Sequence, residues 1–389
     1  VMNRTRVMVQ STDPPEEASA EDGLPVGADA DNPRLAEVRD RIDEIDRRIL
    51  ALANDRARCA QEVADIKRAA GETGMFWRPE REAQILREMV RSNEGPLADA
   101  AVTGIFRELI SACLALEQPL AIAYLGPEGT FTHAAVHKHY GRFVESRPLG
   151  AIDEVFREVA AGAVDFGVIP VENSTEGMVT HTLDMFPGSN LRICGEILLR
   201  IHHHLVSAET SIDAVEVVYA HQQALAQCRE WLDARLPRAQ RVAVSSNGEA
   251  ARRAAGETGT AAIAGVMAAE IYGLRSLAER IEDEPDNTTR FLVIGDHDVP
   301  PSGDDKTSLM LSARNRPGAL FHLIRPLAEH GIDMTRLESR PARGRLWQYI
   351  FFVDILGHAE DERIRPALAA LEEEAALCRV LGSYPRAET

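Results

Sequence analysis

Between Pro33 and Gly71 the chain contains no glycine or proline, and Leu35, Val38, Ile42, Ile45, Ile49 and Leu52 recur in steps of three and four. That period lines apolar groups along one face of a single α-helix, and it continues through Val63 and Ile66. Globular helices average about 11–12 residues. A helix this much longer needs a second surface for its stripe, and a homodimer, or dimers paired into a tetramer, is the expected source. Asn32 suits an N-cap and Pro33 a first helical position, so order is expected to begin there. Pro79 opens a second helix over 80–90, Gly95-Pro96 ends it, and a third runs over 97–117. Residues 32–118 are thus expected to form an all-α domain. Upstream, residues 1–31 are rich in Asp, Glu, Pro, Ala and Ser without apolar period and read as a disordered acidic tail.

The pattern changes at Gln118-Pro119. Short β-like runs at 120–125, 166–171, 191–197, 215–219, 242–244, 261–264 and 291–294 alternate with helical stretches across 120–296. This alternation predicts an α/β domain of largely parallel sheet, long enough for two lobes and a cleft in the manner of periplasmic binding proteins. A polar linker over 297–305 leads into 306–386, where the signals follow the order β-α-β-β-α-β of a ferredoxin-like α+β unit.

Charge and cysteine usage narrow the function. A formal net charge of −18 is the wrong sign for a nucleic-acid footprint. It also repels anions at long range, so an anionic ligand calls for local Arg or Lys clusters. No stretch approaches the ~20 apolar residues of a membrane span, and the first residues lack the apolar run of a secretory signal. A cytoplasmic protein without membrane partners is expected. The five cysteines are scattered and lack a Cys-x-x-Cys pair, which points to neither a disulfide framework nor a metal site.

Along the first helix Arg56 and Lys67 fall about 20° apart around the axis at 100° per residue, so they share a face. Arg39 falls about 100° from Arg56 and does not point into the same pocket on one straight helix. By spacing alone such cations read first as solvated helix charges. However, the stretches 35–46 (LAEVRDRIDEID), 50–67, Arg78-Pro79-Glu80-Arg81-Glu82 and 106–118 resemble the mutase domain of bifunctional chorismate mutase–prephenate dehydratases. The resemblance implies that Arg39, reaching over from a partner chain, and Arg56 hold the two carboxylates of chorismate. Lys67 then bonds the breaking ether oxygen, Glu82 holds the ring hydroxyl, and Arg81 and Cys113 lie among the substrate contacts. Cys113 replaces a serine, and Arg78 falls where some members have Asp. Glu117 stands where the best-known members carry Gln. A carboxylate there donates only when protonated, so mutase activity is expected to fall as pH rises through neutrality.

In the α/β segment, Gly126-Pro127-Glu128-Gly129-Thr130-Phe131-Thr132 follows a strand and precedes a helix, a place where glycines and hydroxyls either cradle an anion or simply turn. With Pro170-Val171-Glu172-Asn173-Ser174-Thr175-Glu176-Gly177, the stretch 220–228 (AHQQALAQC) and Asn287-Thr288-Thr289-Arg290-Phe291, it forms an ordered set that resembles prephenate dehydratase. The resemblance makes Thr289 the catalytic residue and the expected donor to the departing hydroxide, with Asn173 and Gln227 as polar binding residues. Thr130 belongs with the anion-cradling turn, and Arg290 is either a carboxylate ligand or structural. Ala220 replaces the usual serine, so a hydrogen bond is missing or comes from Ser174 or Thr175. His202-His203-His204 reads as strand, where neighbours alternate faces and do not converge on a metal. Cys228 reads as a buried thiol rather than a nucleophile.

In the last segment Gly318-Ala319-Leu320 and Glu338-Ser339-Arg340-Pro341 resemble the effector motifs of an ACT domain, which implies feedback inhibition by L-phenylalanine at a dimer interface. Glu338 is placed to meet the ligand ammonium unless Arg340 pairs with it. No cofactor is called for. The competing readings are a dehydratase that also takes the aminated substrate arogenate, and a non-catalytic amino-acid sensor. Intact Thr289, Asn173 and mutase cations argue against the sensor.

Overall fold

The computed structural model describes residues 33–71, 77–314, 316–342 and 349–387; the expected acidic tail and Asn32 lie outside the described residues. The chain opens with helices α1 (Pro33–Ala69), α2 (Pro79–Arg91) and α3 (Asp99–Glu117). The chain divides into two compact units, and the division along the sequence falls within α1, after Asp55. The apolar stripe of α1 is left open: Ile49 is 58% and Ile66 62% exposed. In the second unit α2 packs on α3, with Pro79 at its first turn as the sequence implied.

The α/β segment contains β1 (Ala121–Leu125), α4 (Phe131–Tyr140), β2 (Glu145–Leu149), α5 (Ile152–Ala160), β3 (Phe166–Asn173), β4 (Gly177–Met178), α6 (Thr180–Met185) and β5 (Arg192–Arg200). The chain then crosses to a second lobe made of β6 (His204–Ser207), β7 (Val217–His221), α7 (Gln222–Gln227), α8 (Arg229–Arg235), β8 (Gln240–Val244), α9 (Asn247–Gly256), β9 (Thr260–Ala264), α10 (Val266–Tyr272) and β10 (Arg275–Ala278). It returns as β11 (Thr288–Gly295).

The first sheet has the order β2-β1-β3-β11-β5 with β4 beside β3, and the second the order β10-β6-β9-β7-β8. The expectation of largely parallel sheet is corrected here. Pairs β1–β2, β1–β3, β7–β8 and β7–β9 are parallel, but β11 runs antiparallel to both β3 and β5, as β6 does to β9 and β10. The physical reason is connectivity. β11 enters from the other lobe and slots between two strands that left in the opposite sense.

The C-terminal unit is β12 (Asp305–Ala313), α11 (Ala319–Glu329), β13 (Met334–Pro341), β14 (Tyr349–Leu356), α12 (Arg365–Glu374) and β15 (Ala375–Pro385), in the sheet order β13-β14-β12-β15. This is the β-α-β-β-α-β arrangement expected. One sheet face buries Leu309, Leu311 and Val353 with the helix residues Leu323, Leu327 and Leu371. The other face contributes Met310, Phe352, Leu381 and Tyr384 to one apolar core with Ile193 and Leu292 of the first sheet. At the edge β15 lies against β5 so closely that a Cβ on Gly382 would stand 2.1 Å from the Ile193 carbonyl oxygen. No helix among the described residues is long and apolar enough to cross a membrane.

Candidate active sites

A cavity of about 950 Å³ opens between the two α/β lobes. Thr289 and Asn173 stand directly opposite each other across the β11–β3 pair, and both line it. The Asn173 carbonyl oxygen accepts from the backbone N–H groups of Thr175 and Glu176, each at 3.0 Å. Its amide nitrogen therefore faces the other way and donates to Thr289 Oγ1 at 2.8 Å and to Asn287 Oδ1 at 2.7 Å. Asn287 in turn donates to Gln227 Oε1 at 3.2 Å. That same oxygen accepts from His203 Nε2 at 2.8 Å. Burial lowers the His203 pKa and so favours the neutral ring, and because an amide oxygen only accepts, the contact with Gln227 Oε1 puts the ring proton on Nε2. The hydrogen bonds thus have a fixed sense, and they leave the Thr289 hydroxyl accepting from Asn173 with its own proton uncommitted.

The sequence-derived candidates divide at this cleft. Thr130, Asn173, Gln227 and Thr289 line it; Ser174 and Thr175 do not. The Ser174 hydroxyl accepts from the Thr288 N–H at 2.9 Å and braces the strand end, and Thr175 serves through its backbone. Arg290 is a correction. It is 7% exposed and points to the far face of the sheet, where it pairs with Glu196 and Asp354. Alternation explains it, since Asn287, Thr289 and Phe291 all line the cleft and the residues between them cannot. The same period, legible in the sequence, also identifies Asn287, which the motif reading passed over. The histidine run is corrected too. Only His204 starts a strand, and residues 201–203 form the crossing between lobes. His202 pairs with Glu282 at 2.8 Å while His203 turns to Gln227. Ala220 is buried in the second lobe, and Ser245 and Ser246 bring hydroxyls to the cleft instead.

Among the described residues that line the cleft there is no Lys or Arg, so the expected cation cluster is absent from it. What faces the space are helix N-termini, one from each lobe: Thr130 caps α4 and Ser246 caps α9, each accepting from a first-turn N–H. The partial positive charge at such termini suits an anion without a formal cation. Gly129 makes the turn before α4 at φ 78°, and a Cβ there would meet Ala268 of the second lobe at 3.0 Å.

In the helical segment the Glu117 carboxyl on α3 is raised by burial, against the opposing pull of Lys67, Arg56 and Arg68 of α1, so these groups share one neighbourhood. Glu82 is pushed up by burial as well, opposed by Trp77, Arg107 and Arg56. Its carboxylate accepts from Trp77 Nε1 at 2.7 Å and lies 3.8 Å from Arg107 Nε. Neither partner was singled out in the sequence, because both contacts depend on how α2 meets its neighbours. Cys113 is buried in α3, Arg81 is exposed on α2, and Arg39 lies exposed in the first unit.

In the C-terminal unit Gly318 takes a left-handed conformation (φ 70°) at the N-cap of α11, which leads directly into Ala319 and Leu320. Glu338 and Ser339 lie on β13, the outer strand of its sheet. Arg340 pairs with Asp184 of α6 at 3.3 Å, in place of the alternative pairing with Glu338.

Three protein families match in succession: chorismate mutase type II over 38–118, prephenate dehydratase over 122–299 and the ACT domain over 307–373. A bifunctional chorismate mutase/prephenate dehydratase from Stutzerimonas stutzeri is 56% identical over 91% of this chain and 98% of its own length. The chain belongs to this family. It is an enzyme with two activities, a chorismate mutase and a prephenate dehydratase. As a bifunctional chorismate mutase/prephenate dehydratase it shares its second and third segments with a prephenate dehydratase from Arthrobacter aurescens solved in complex with L-Phe. That structure matches at 36% identity and a TM-score of 0.64, covering 69% of this chain and 90% of the other. A protein described as a novel type of quorum-quenching acylase superposes nearly as well, at 29% identity and a TM-score of 0.63 over 68% of this chain and 98% of its own. The architecture alone therefore does not select the chemistry; the residues in the cleft must.

Proposed function

We propose that prephenate binds in the interlobe cleft and that Thr289 protonates its departing ring hydroxyl. The observation that carries this reading is the orientation of the Asn173 amide. Both of its protons are committed, one to Thr289, so the threonine oxygen accepts and its own proton is left to donate. Hydroxide is a poor leaving group, and a donor placed at it lets water depart instead. As that C–O bond breaks, the bond to the ring carboxylate supplies its electron pair to the ring. Carbon dioxide leaves, the ring becomes aromatic, and solvent restores the threonine proton. The substrate carboxylates lie against the N-terminal turns of α4 and α9 and the amide N–H of Gln227, while Asn173, its two protons already committed, holds Thr289 in place.

Chorismate rearranges by a unimolecular path that requires a compact conformer and stabilised charge on the ether oxygen. Arg56, Lys67 and a protonated Glu117 supply these, with Arg81, Glu82 and Cys113 around the ring and Arg39 contributed by a second copy in a homodimer. L-phenylalanine binds at Gly318–Leu320 and Glu338–Ser339 and slows the dehydratase. The relative solved in complex with L-Phe supports this assignment. The enzyme works in the cytoplasm.

The test is Thr289→Val, which keeps the shape and removes the proton. Phenylpyruvate formation is expected to fall by about 10²–10⁴-fold, the usual worth of a general acid, while Thr289→Ser retains most of it. Unchanged turnover in Thr289→Val overturns the assignment.

A further inference from the structure

We propose that Arg336 and Asp354 of the C-terminal unit act as positioning residues for the dehydratase, a latch on the back of the two strands that carry Asn173 and Thr289. On β3 and β11 Asn173 stands opposite Thr289, and Glu172 stands opposite Arg290. The first pair faces the cleft, so the second faces away from it. The C-terminal unit holds both members of that rear pair. Arg336 Nε on β13 lies 3.4 Å from Glu172 Oε2. Asp354 Oδ2 on β14 lies 2.7 Å from Arg290 Nη1, and the Ser308 hydroxyl donates to its other oxygen at 2.5 Å. Arg336 also reaches within 3.9 Å of Asp354, which joins the two grips into one cluster.

The Arg290–Asp354 end of the cluster is buried and ionised, while the Glu172 side chain at the other end is 40% exposed. Arg290 is 7% and Asp354 5% exposed. Burial alone would raise the Asp354 carboxyl, but Arg290, Arg336 and the Ser308 hydroxyl outweigh it and hold it below the ordinary range. Arg290 also donates to Glu196 at 2.8 Å and to the Tyr384 hydroxyl at 3.1 Å, so its guanidinium is held on every side.

β13 is also the strand of Glu338 and Ser339, two and three residues beyond Arg336. A ligand that shifts β13 moves Arg336, then Glu172, then Asn173 beside it in the chain. Packed interfaces tend to switch between discrete arrangements, so a small shift is enough. This effector arm rests on the phenylalanine reading above; the positioning arm does not.

The experiment uses the full chain with Arg336→Met, Arg336→Lys, Glu172→Gln and the Arg336→Met/Glu172→Gln double variant. It follows prephenate kcat and KM with and without phenylalanine, calorimetric phenylalanine binding, and chorismate turnover to report an intact preparation. Arg336→Met and Glu172→Gln are each expected to lower kcat about tenfold with KM within about twofold. Arg336→Lys should recover part of the loss, and the double variant should lose nothing further, because one contact cannot be broken twice. Phenylalanine should still bind Arg336→Met but inhibit it by less than about a third of the wild-type factor. Wild-type kcat in the variants, or additive losses, overturns the latch. Inhibition of Arg336→Met as strong as wild type overturns its effector arm. A wild-type chain that binds no phenylalanine overturns the regulatory reading alone, and the kcat split still decides the positioning claim.

Discussion

Glu117 is raised by burial while Lys67, Arg56 and Arg68 pull it down, and the balance is upward. A raised carboxyl keeps its proton to higher pH, so the donor form exists below the shifted pKa and disappears as pH rises through it. Mutase kcat/KM should therefore fall along that limb. Glu117→Gln, a donor at every pH, should abolish the limb and leave the rest of the profile in place. Chorismate consumption measured across pH in both proteins decides the point, and an identical limb in the variant rules the role out. At this scale the sequence carried more than the motifs: the period-two placement of Asn287, Thr289 and Phe291 was there to be read, and with it the exclusion of Arg290 from the cleft. The tautomer of His203 and the partners of Glu82 were not readable. Each depends on groups brought from distant segments, His203 through Gln227 and Glu82 through Arg107.

At the scale of elements, the helices and most strands follow from punctuation and apolar period, because those signals are local. Strand direction is not local. Nothing in 288–295 distinguishes an antiparallel insertion between β3 and β5 from a parallel one, and the answer lies in a lobe the chain visits first. The docking of β15 on β5 was hidden for the same reason, although Gly382 marks it: no side chain fits between the two backbones. Gly382→Ala should push the C-terminal unit off the first sheet at a cost of about 1–3 kcal/mol, as overpacking does elsewhere. A lowered thermal midpoint with faster proteolysis between 299 and 304 is the expected result. A midpoint equal to wild type would show that the contact gives way without strain.

At the scale of the molecule, the α1 stripe is the largest unsolved demand: Val38, Ile42, Ile45, Ile49, Leu50, Leu52, Val63 and Ile66 are all exposed. In the proposed homodimer a second copy would meet that demand by symmetry, offering the same stripe in return. It would also accommodate Arg39, which the sequence spacing places about 100° from Arg56 around an ideal helix. If each mutase site takes Lys67 from one chain and Arg39 from the other, two dead variants can repair each other. Arg39→Ala and Lys67→Ala should each be inactive on chorismate alone. Unfolded and refolded together in equal amounts, they form mixed dimers in which one of the two sites has both residues. Random pairing makes half of the dimers mixed, so recovery should approach about a quarter of wild-type mutase activity. Dehydratase activity, housed in another segment, provides the reference for folded protein in every sample. No recovery in the mixture, with that reference intact, would place Arg39 and Lys67 in the same chain's site and remove the need for the second copy.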